Sequence, residues 1–349
     1  MMTARMFAGS VLLAIVLLST PFADAQLTLT GLERPLSLSI SPQYPTAGDT
    51  IRLSIQSYAL DLDRSSVVWY ANGKEIAKGN GIVSASVTAG ALGSEVVIDV
   101  VAEEESGLVG SAHAEIRPTE VDLLWETDSY VPPFYKGRAL AGTSASIRAQ
   151  AVARFKKTNG TMVPDTDIIF SWYKGGTRFA SGRGKSTVSF AGPTLFSEDR
   201  ISVVAESADT TLKGSAQARV LAIDPFVELY ENHPLFGVLY HRALVGSVAT
   251  LENEQKVTAV PYFSHVLSPR DPGLSYEWHV NNSVIAPNPE SPDDLIITAN
   301  GYTGPATIEL SLTSATDWFL RAVGSWTIEF GDSANGIFGN NPFGAPLNQ

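Results

Sequence analysis

The chain has 349 residues, enough for two or three domains. It contains no cysteine, which excludes disulfides, thiolate metal sites and a thiol nucleophile. Its net charge of −12 argues against nucleic acid and anionic membrane as partners, since both reward clustered Lys and Arg.

Residues 1–25 read as an export signal. Arg5 supplies a positive start, residues 7–18 an apolar core, and Ala23-Asp24-Ala25 a small-residue cleavage box, so the mature chain should begin at Gln26. Retention of this segment as an uncleaved anchor is the alternative. No second stretch is long enough and apolar enough to cross a bilayer. Export without disulfides is commoner among bacterial surface proteins than among secreted animal ones, and the expected location is the cell surface, the periplasm or the medium.

The mature chain opens on alternating residues 36–40, a break at Pro42-Gln43-Tyr44-Pro45 and a turn at Thr46-Ala47-Gly48-Asp49. Ile51, Leu53 and Ile55 then alternate with Arg52, Ser54 and Gln56, the period of a half-buried antiparallel strand. Next comes Val67-Val68-Trp69-Tyr70-Ala71-Asn72-Gly73-Lys74, a strand centred on a tryptophan and closed by Asn-Gly, the strongest short hairpin signal. Val96, Ile98 and Val100, then Ala112, Ala114 and Ile116, supply later strands. The tryptophan strand returns at Phe170-Ser171-Trp172-Tyr173-Lys174-Gly175-Gly176 and at Tyr276-Glu277-Trp278-His279-Val280-Asn281-Asn282. The three tryptophans lie 103 and 106 residues apart, the length of one β-sandwich. No part of the mature chain has a 3.6-residue period. The expectation is an all-β chain, three tandem antiparallel sandwiches at 26–118, 119–224 and 225–331 with a disordered tail at 332–349. Proline at the links (Pro118, Pro225) predicts a semi-rigid rod.

The tryptophan strand, with Pro42, Pro45, Gly48 and Asp49 before it, resembles the immunoglobulin-like domains of bacterial surface proteins. The resemblance covers nearly the whole mature chain. It implies that Trp69, Trp172 and Trp278 fill the cores between paired sheets, and that the sandwiches serve as spacer, adhesive or assembly modules. The chain departs from antibody domains in lacking the paired cysteines. It also lacks the Trp-x-Phe-Gly-Asp-Gly box of polycystic-kidney-disease-type repeats. The resemblance names no ligand.

Units two and three share a further repeat. Val121-Asp122-Leu123-Leu124-Trp125-Glu126 matches Val227-Glu228-Leu229-Tyr230-Glu231, and Tyr135 to Gly142 matches Tyr240 to Gly246 with one residue deleted. One reading is structural: Glu126 pairs with Arg138, Glu231 pairs with Arg242, and Tyr135 and Tyr240 cap the core edge. The other is functional: Tyr130, Phe134, Tyr135, Leu235, Phe236 and Tyr240 form an exposed ridge at the joints, suited to a protein partner.

Other chemistry is weakly signalled. Gly182-Arg183-Gly184-Lys185-Ser186 lacks the upstream glycine of a phosphate loop, because Phe179 stands there, and reads as a hairpin turn equivalent to Gly79-Asn80-Gly81. The five histidines have no metal-ligand spacing. Asp61 and Asp63, Asp165 and Asp167, and Asp293 and Asp294 lack the spacing of a known calcium loop. No nucleophile elbow is present. No cofactor, metal or catalytic residue is expected. The reading is a non-enzymatic, exported surface or secreted protein, structural or adhesive, acting through protein contacts. A carbohydrate-binding module, with Tyr70 and Tyr173 to inspect, and a subunit of a pilus-like assembly are the alternatives. A hydrolase comes last.

Overall fold

The computed structural model describes residues 34–331 apart from 144, 195–196 and 316–319. The export signal and the C-terminal tail read from the sequence lie outside these residues. Alternation in the sequence becomes sheet geometry. In the strand Thr50–Gln56, Ile51, Leu53 and Ile55 are buried while the residues between them are exposed.

The first unit contains β1 (Arg34–Pro35), β2 (Ser37–Ser41), β3 (Thr50–Gln56), β4 (Ser66–Ala71), β5 (Lys74–Asn80), β6 (Ser84–Thr88), β7 (Val96–Glu103) and β8 (Val109–Ile116). The second contains β9 (Glu120–Thr127), β10 (Ala141–Gly142), β11 (Ser146–Arg154), β12 (Ile168–Lys174), β13 (Thr177–Arg183), β14 (Thr187–Ala191), β15 (Glu198–Ser207) and β16 (Lys213–Ile223). The third contains β17 (Phe226–His233), β18 (Gly237–Ala243), β19 (Ser247–Thr250), β20 (Glu254–Tyr262), β21 (Leu274–Val280), β22 (Ser283–Ile285), β23 (Asp294–Thr298), β24 (Gly304–Ser314) and β25 (Arg321–Phe330).

Each unit pairs two sheets. The smaller ones run β2-β3-β6, β14-β11-β9 and β18-β17-β20-β23. The larger ones run β1-β8-β7-β4-β5, β10-β16-β15-β12-β13 and β19-β25-β24-β21-β22. In every larger sheet the first strand is a short edge strand, parallel to the last strand of its unit. All other pairings are antiparallel. Shared strand order and exchange of the first strand between sheets define an immunoglobulin-like sandwich.

The three tryptophans are fully buried, one in each of three separate cores. Each indole N–H donates to a backbone carbonyl at 2.9 Å: Ile82, Lys185 and Pro292. Those acceptors lie 13, 13 and 14 residues downstream, beyond the returning strand in each unit. Lys185 belongs to the glycine-rich turn at 182–186, so that turn holds the core tryptophan. The hairpin after each tryptophan needs positive φ at both central residues, and the chain uses Asn72-Gly73, Gly175-Gly176 and Asn281-Asn282 for it.

Candidate interaction surface at the second joint

In units two and three the first strand does not pass straight to the parallel edge strand. Residues 128–140 intervene between β9 and β10, and β18 intervenes between β17 and β19. These intervening segments carry most of the residues singled out from the sequence, and they build the joint between the two units.

Two backbone hydrogen bonds cross the joint. Tyr130 N–H donates to the carbonyl of Ser264, and Phe263 N–H donates to the carbonyl of Tyr130, both at 2.8 Å. Gly142 lies against the same turn: a Cβ there would stand 1.9 Å from the Phe263 carbonyl oxygen. The Gly142 N–H donates to Ser129 Oγ at 3.0 Å. Phe263 itself has φ +57, an unusual conformation for a bulky residue, and is buried. The His265 ring lies 3.2 Å from the Asp128 carboxylate, tying the same two segments.

A fourth apolar cluster fills the joint, distinct from the three cores. Tyr230, Val260, Tyr262 and Phe263 of unit three form its buried centre, and Tyr130, Val131, Leu140 and Ile223 of unit two pack on it. Tyr135 meets Tyr262 and Phe263 edge-on, with centroids 6.0 Å apart in each pair. Phe226 stacks on Tyr262 at 5.0 Å, and Tyr240 tilts against Tyr230 at 5.6 Å. The hydroxyls of Tyr230 and Tyr262 share a hydrogen bond of 2.5 Å. Burial pushes the Tyr130 hydroxyl up to about 12, with Tyr240, Tyr262 and Asp293 adding to it. Burial likewise raises Tyr230, Tyr240 and Tyr262, and raises the Glu228 carboxyl on the same sheet face.

The six ridge residues separate into two groups. Tyr130, Tyr135 and Tyr240 converge on the joint. Phe134, Leu235 and Phe236 point outward, 89%, 84% and 75% exposed. Phe134 follows the joint at the Phe226 end of β17. Phe236 stacks on His233 at the other end of that strand, at 4.7 Å. Seven residues of β-strand separate those ends by about 23 Å, so the outward residues form two tips.

The repeated charges also take other partners. Glu126 lies directly opposite Arg148 across β9 and β11 and pairs with it at 3.4 Å. The Arg138 guanidinium lies over the Trp125 ring, 3.7 Å from its centroid. Glu231 and Arg242 line one cleft of about 390 Å³ with His241 and Glu252, over a floor of Leu244, Val248 and Ile328, and make no direct ion pair. Of the acidic loops, Asp293 and Asp294 are buried and engaged: Arg270 Nε lies 2.8 Å from Asp293, and Lys256 Nζ lies 2.9 Å from Asp294. Among the described residues no group of three or more His, Asp or Glu is placed to hold a metal ion, and no helix is long and apolar enough to cross a membrane.

Phe226, Tyr262 and Phe263 went unnoticed in the sequence, although a signal was there. Residues 257–263 read Val-Thr-Ala-Val-Pro-Tyr-Phe, with bulky apolar residues at both parities, which marks a strand covered on both faces.

No protein-family model matches the chain, and no curated protein sequence matches it. Among solved structures it is similar to the central fibronectin-III array of RIM-binding protein, with 14% identity, 87% of this chain and 100% of that chain covered, and a TM-score of 0.30. It is also similar to immunoglobulin domains 1–4 of Sidekick-1 (11% identity, 84% and 74% covered, TM-score 0.20). A third is the Bacteroides ovatus mixed-linkage glucan utilization locus protein SGBP-B in complex with a mixed-linkage heptasaccharide (11%, 85% and 70%, TM-score 0.21). Likeness at this level carries no inference about partner or activity. Strand order, the three tryptophan cores and the repeated hairpin make the described chain a tandem array of immunoglobulin-like β-sandwich units.

Proposed function

We propose that the protein is a non-enzymatic, exported structural or adhesive array that works at the cell surface or outside the cell through protein contacts. The observation that carries this reading is the division of labour within the repeated segments. Their tyrosines lock units two and three together, while Phe134, Leu235 and Phe236 are left outward where nothing in their own unit buries them. Large apolar side chains at the tips of a rigid frame suit recognition, because little entropy is lost on ordering them. Export rests on the signal read in residues 1–25.

The test is adhesion of the producing cells, or of beads coated with the purified chain, to a target-cell surface. A variant carrying Phe134→Ser, Leu235→Ser and Phe236→Ser should lose adhesion while keeping the parent melting temperature. Adhesion that survives all three changes would remove the tips from the reading. Sequencing the N-terminus of exported protein should return Gln26 as the first residue. Recovery of the intact chain only from the cytoplasm would refute export.

A further inference from the structure

The larger sheet of the second unit carries arginines that the fold does not require. Arg200 and Arg219 are direct cross-strand partners on β15 and β16, both exposed. Directly opposite side chains in an antiparallel pair stand about 5 Å apart, and like charges there are destabilising. Beside them, Tyr173, Ser202 and Gln217 lie in one cross-strand row, and Arg178 is the cross-strand partner of Tyr173. Arg200, Gln217 and Arg219 line a shallow depression of about 320 Å³. Neighbouring cations are engaged, Lys174 with Asp199 and Lys213 with Glu206. Arg178, Arg200 and Arg219 form no ion pair among the described residues. Glu198 shares the face, two residues from Arg200, without reaching ion-pair distance.

The other two units show what this face carries by default. The register places Glu75, Asp99, His113, Val97 and Glu115 of unit one where unit two has Arg178, Ser202, Gln217, Arg200 and Arg219. Unit three has Val284, Glu309, Ser325, Thr307 and Thr327 in those places. Only unit two is basic there, on a chain of net charge −12.

We infer that this face binds an acidic glycan. Two guanidinium forks suit a carboxylate or sulfate group. Gln217, Ser202 and the Tyr173 hydroxyl supply the neutral donors and acceptors that sugar hydroxyls need, and the Tyr173 ring offers an apolar face. Tyr173, Ser202 and Arg200 stand on the interior strands β12 and β15, paired on both sides, so a peptide cannot add as a strand at those residues. β16 is covered by β10 only at Ala222 and Ile223, and the poly-Glu titration tests a peptide there. The depression is lined by four residues, against about 20–30 a side in a standard protein interface. A second copy is disfavoured by mutual repulsion, and the matching acids of unit one are engaged, Asp99 with His113 and Glu115 with Arg117.

The test is calorimetric titration of the full chain with an oligogalacturonate, a heparin hexasaccharide, neutral cellohexaose and a poly-Glu peptide of equal charge. Binding of the uronate or the sulfated sugar, none of cellohexaose, and at least tenfold weaker binding of poly-Glu are expected. Arg200→Ala with Arg219→Ala should weaken glycan binding at least tenfold and leave the melting temperature unchanged or higher. Arg148→Ala, on the smaller sheet, should change nothing. Failure of both acidic glycans, equal binding of poly-Glu, or undiminished binding by the double variant would overturn the inference. So would a salt-sensitive dimer that the double variant abolishes. Adhesion through the apolar tips is untouched by either result.

Discussion

Trp172 is the clearest case of one side chain holding several structural levels together. Its ring fills the core, and its N–H donates to the Lys185 carbonyl in a turn also held by backbone bonds from Gly184 to Ile168 and from Ala151 to Ser186. Trp172→Phe keeps most of the volume and strips that carbonyl of its donor, which should cost about 1–3 kcal/mol in urea unfolding. Trp172→Ala adds a cavity and should cost about 3–5 kcal/mol. No loss for Trp172→Phe would mean the hydrogen bond contributes nothing, and equal losses for the two variants would mean the cavity adds nothing to it. Gly142 is the second such residue. Alanine there would press on the Phe263 carbonyl, in a turn fixed by the two hydrogen bonds that Phe263 and Ser264 exchange with Tyr130, and the expected loss is about 1–3 kcal/mol confined to the joint. The tryptophans could be read from their spacing. Gly142 could not, because the atom it makes room for is 121 residues away in the next unit.

At the scale of elements, the informative segment is 128–140 together with β18. Both are insertions between a first strand and a parallel edge strand, and both send a tyrosine to one aromatic cluster. Their pH response follows from burial. Tyr130 ordinarily ionises near 10, and in the folded joint it is pushed to about 12. The folded state therefore holds this proton more tightly than the unfolded chain does. Its contribution to joint stability is complete below pH 10 and is lost as pH rises toward 12. Ultraviolet titration should show a tyrosine class ionising only near 12, and Tyr130→Phe should remove one tyrosine from it. A titration complete by pH 11 would show that the joint does not bury this hydroxyl. The repeat of the segment was legible in the sequence. Its contacts were not, because pairing Glu126 with Arg138 assumed that near neighbours in sequence meet, whereas strand register set Arg148 opposite Glu126.

For the molecule as a whole, the two joints differ in kind. The second carries a buried aromatic cluster and two crossing backbone bonds. The first is polar: Thr119 N–H donates to the Pro45 carbonyl at 3.1 Å, and Thr119 Oγ1 donates to the Lys213 carbonyl at 2.7 Å. Units two and three should accordingly melt as one calorimetric transition and unit one as another, and Gly142→Ala should split the shared transition in two. Three independent transitions in the parent would contradict the locked joint. The face chemistry also belongs to this scale, since the basic patch of unit two stands out only against its two sister units.

The sequence by itself determined the all-β class, the three tandem units, the buried tryptophans and the hairpins that follow them. These depend on period-two alternation and on turn residues that accept positive φ, both of which are local. Only the tertiary structure decided which aromatics form the joint, which stay outward, and which charges meet. Those outcomes depend on strand register and on how one sandwich lies against the next, and neither is written in any short stretch of chain.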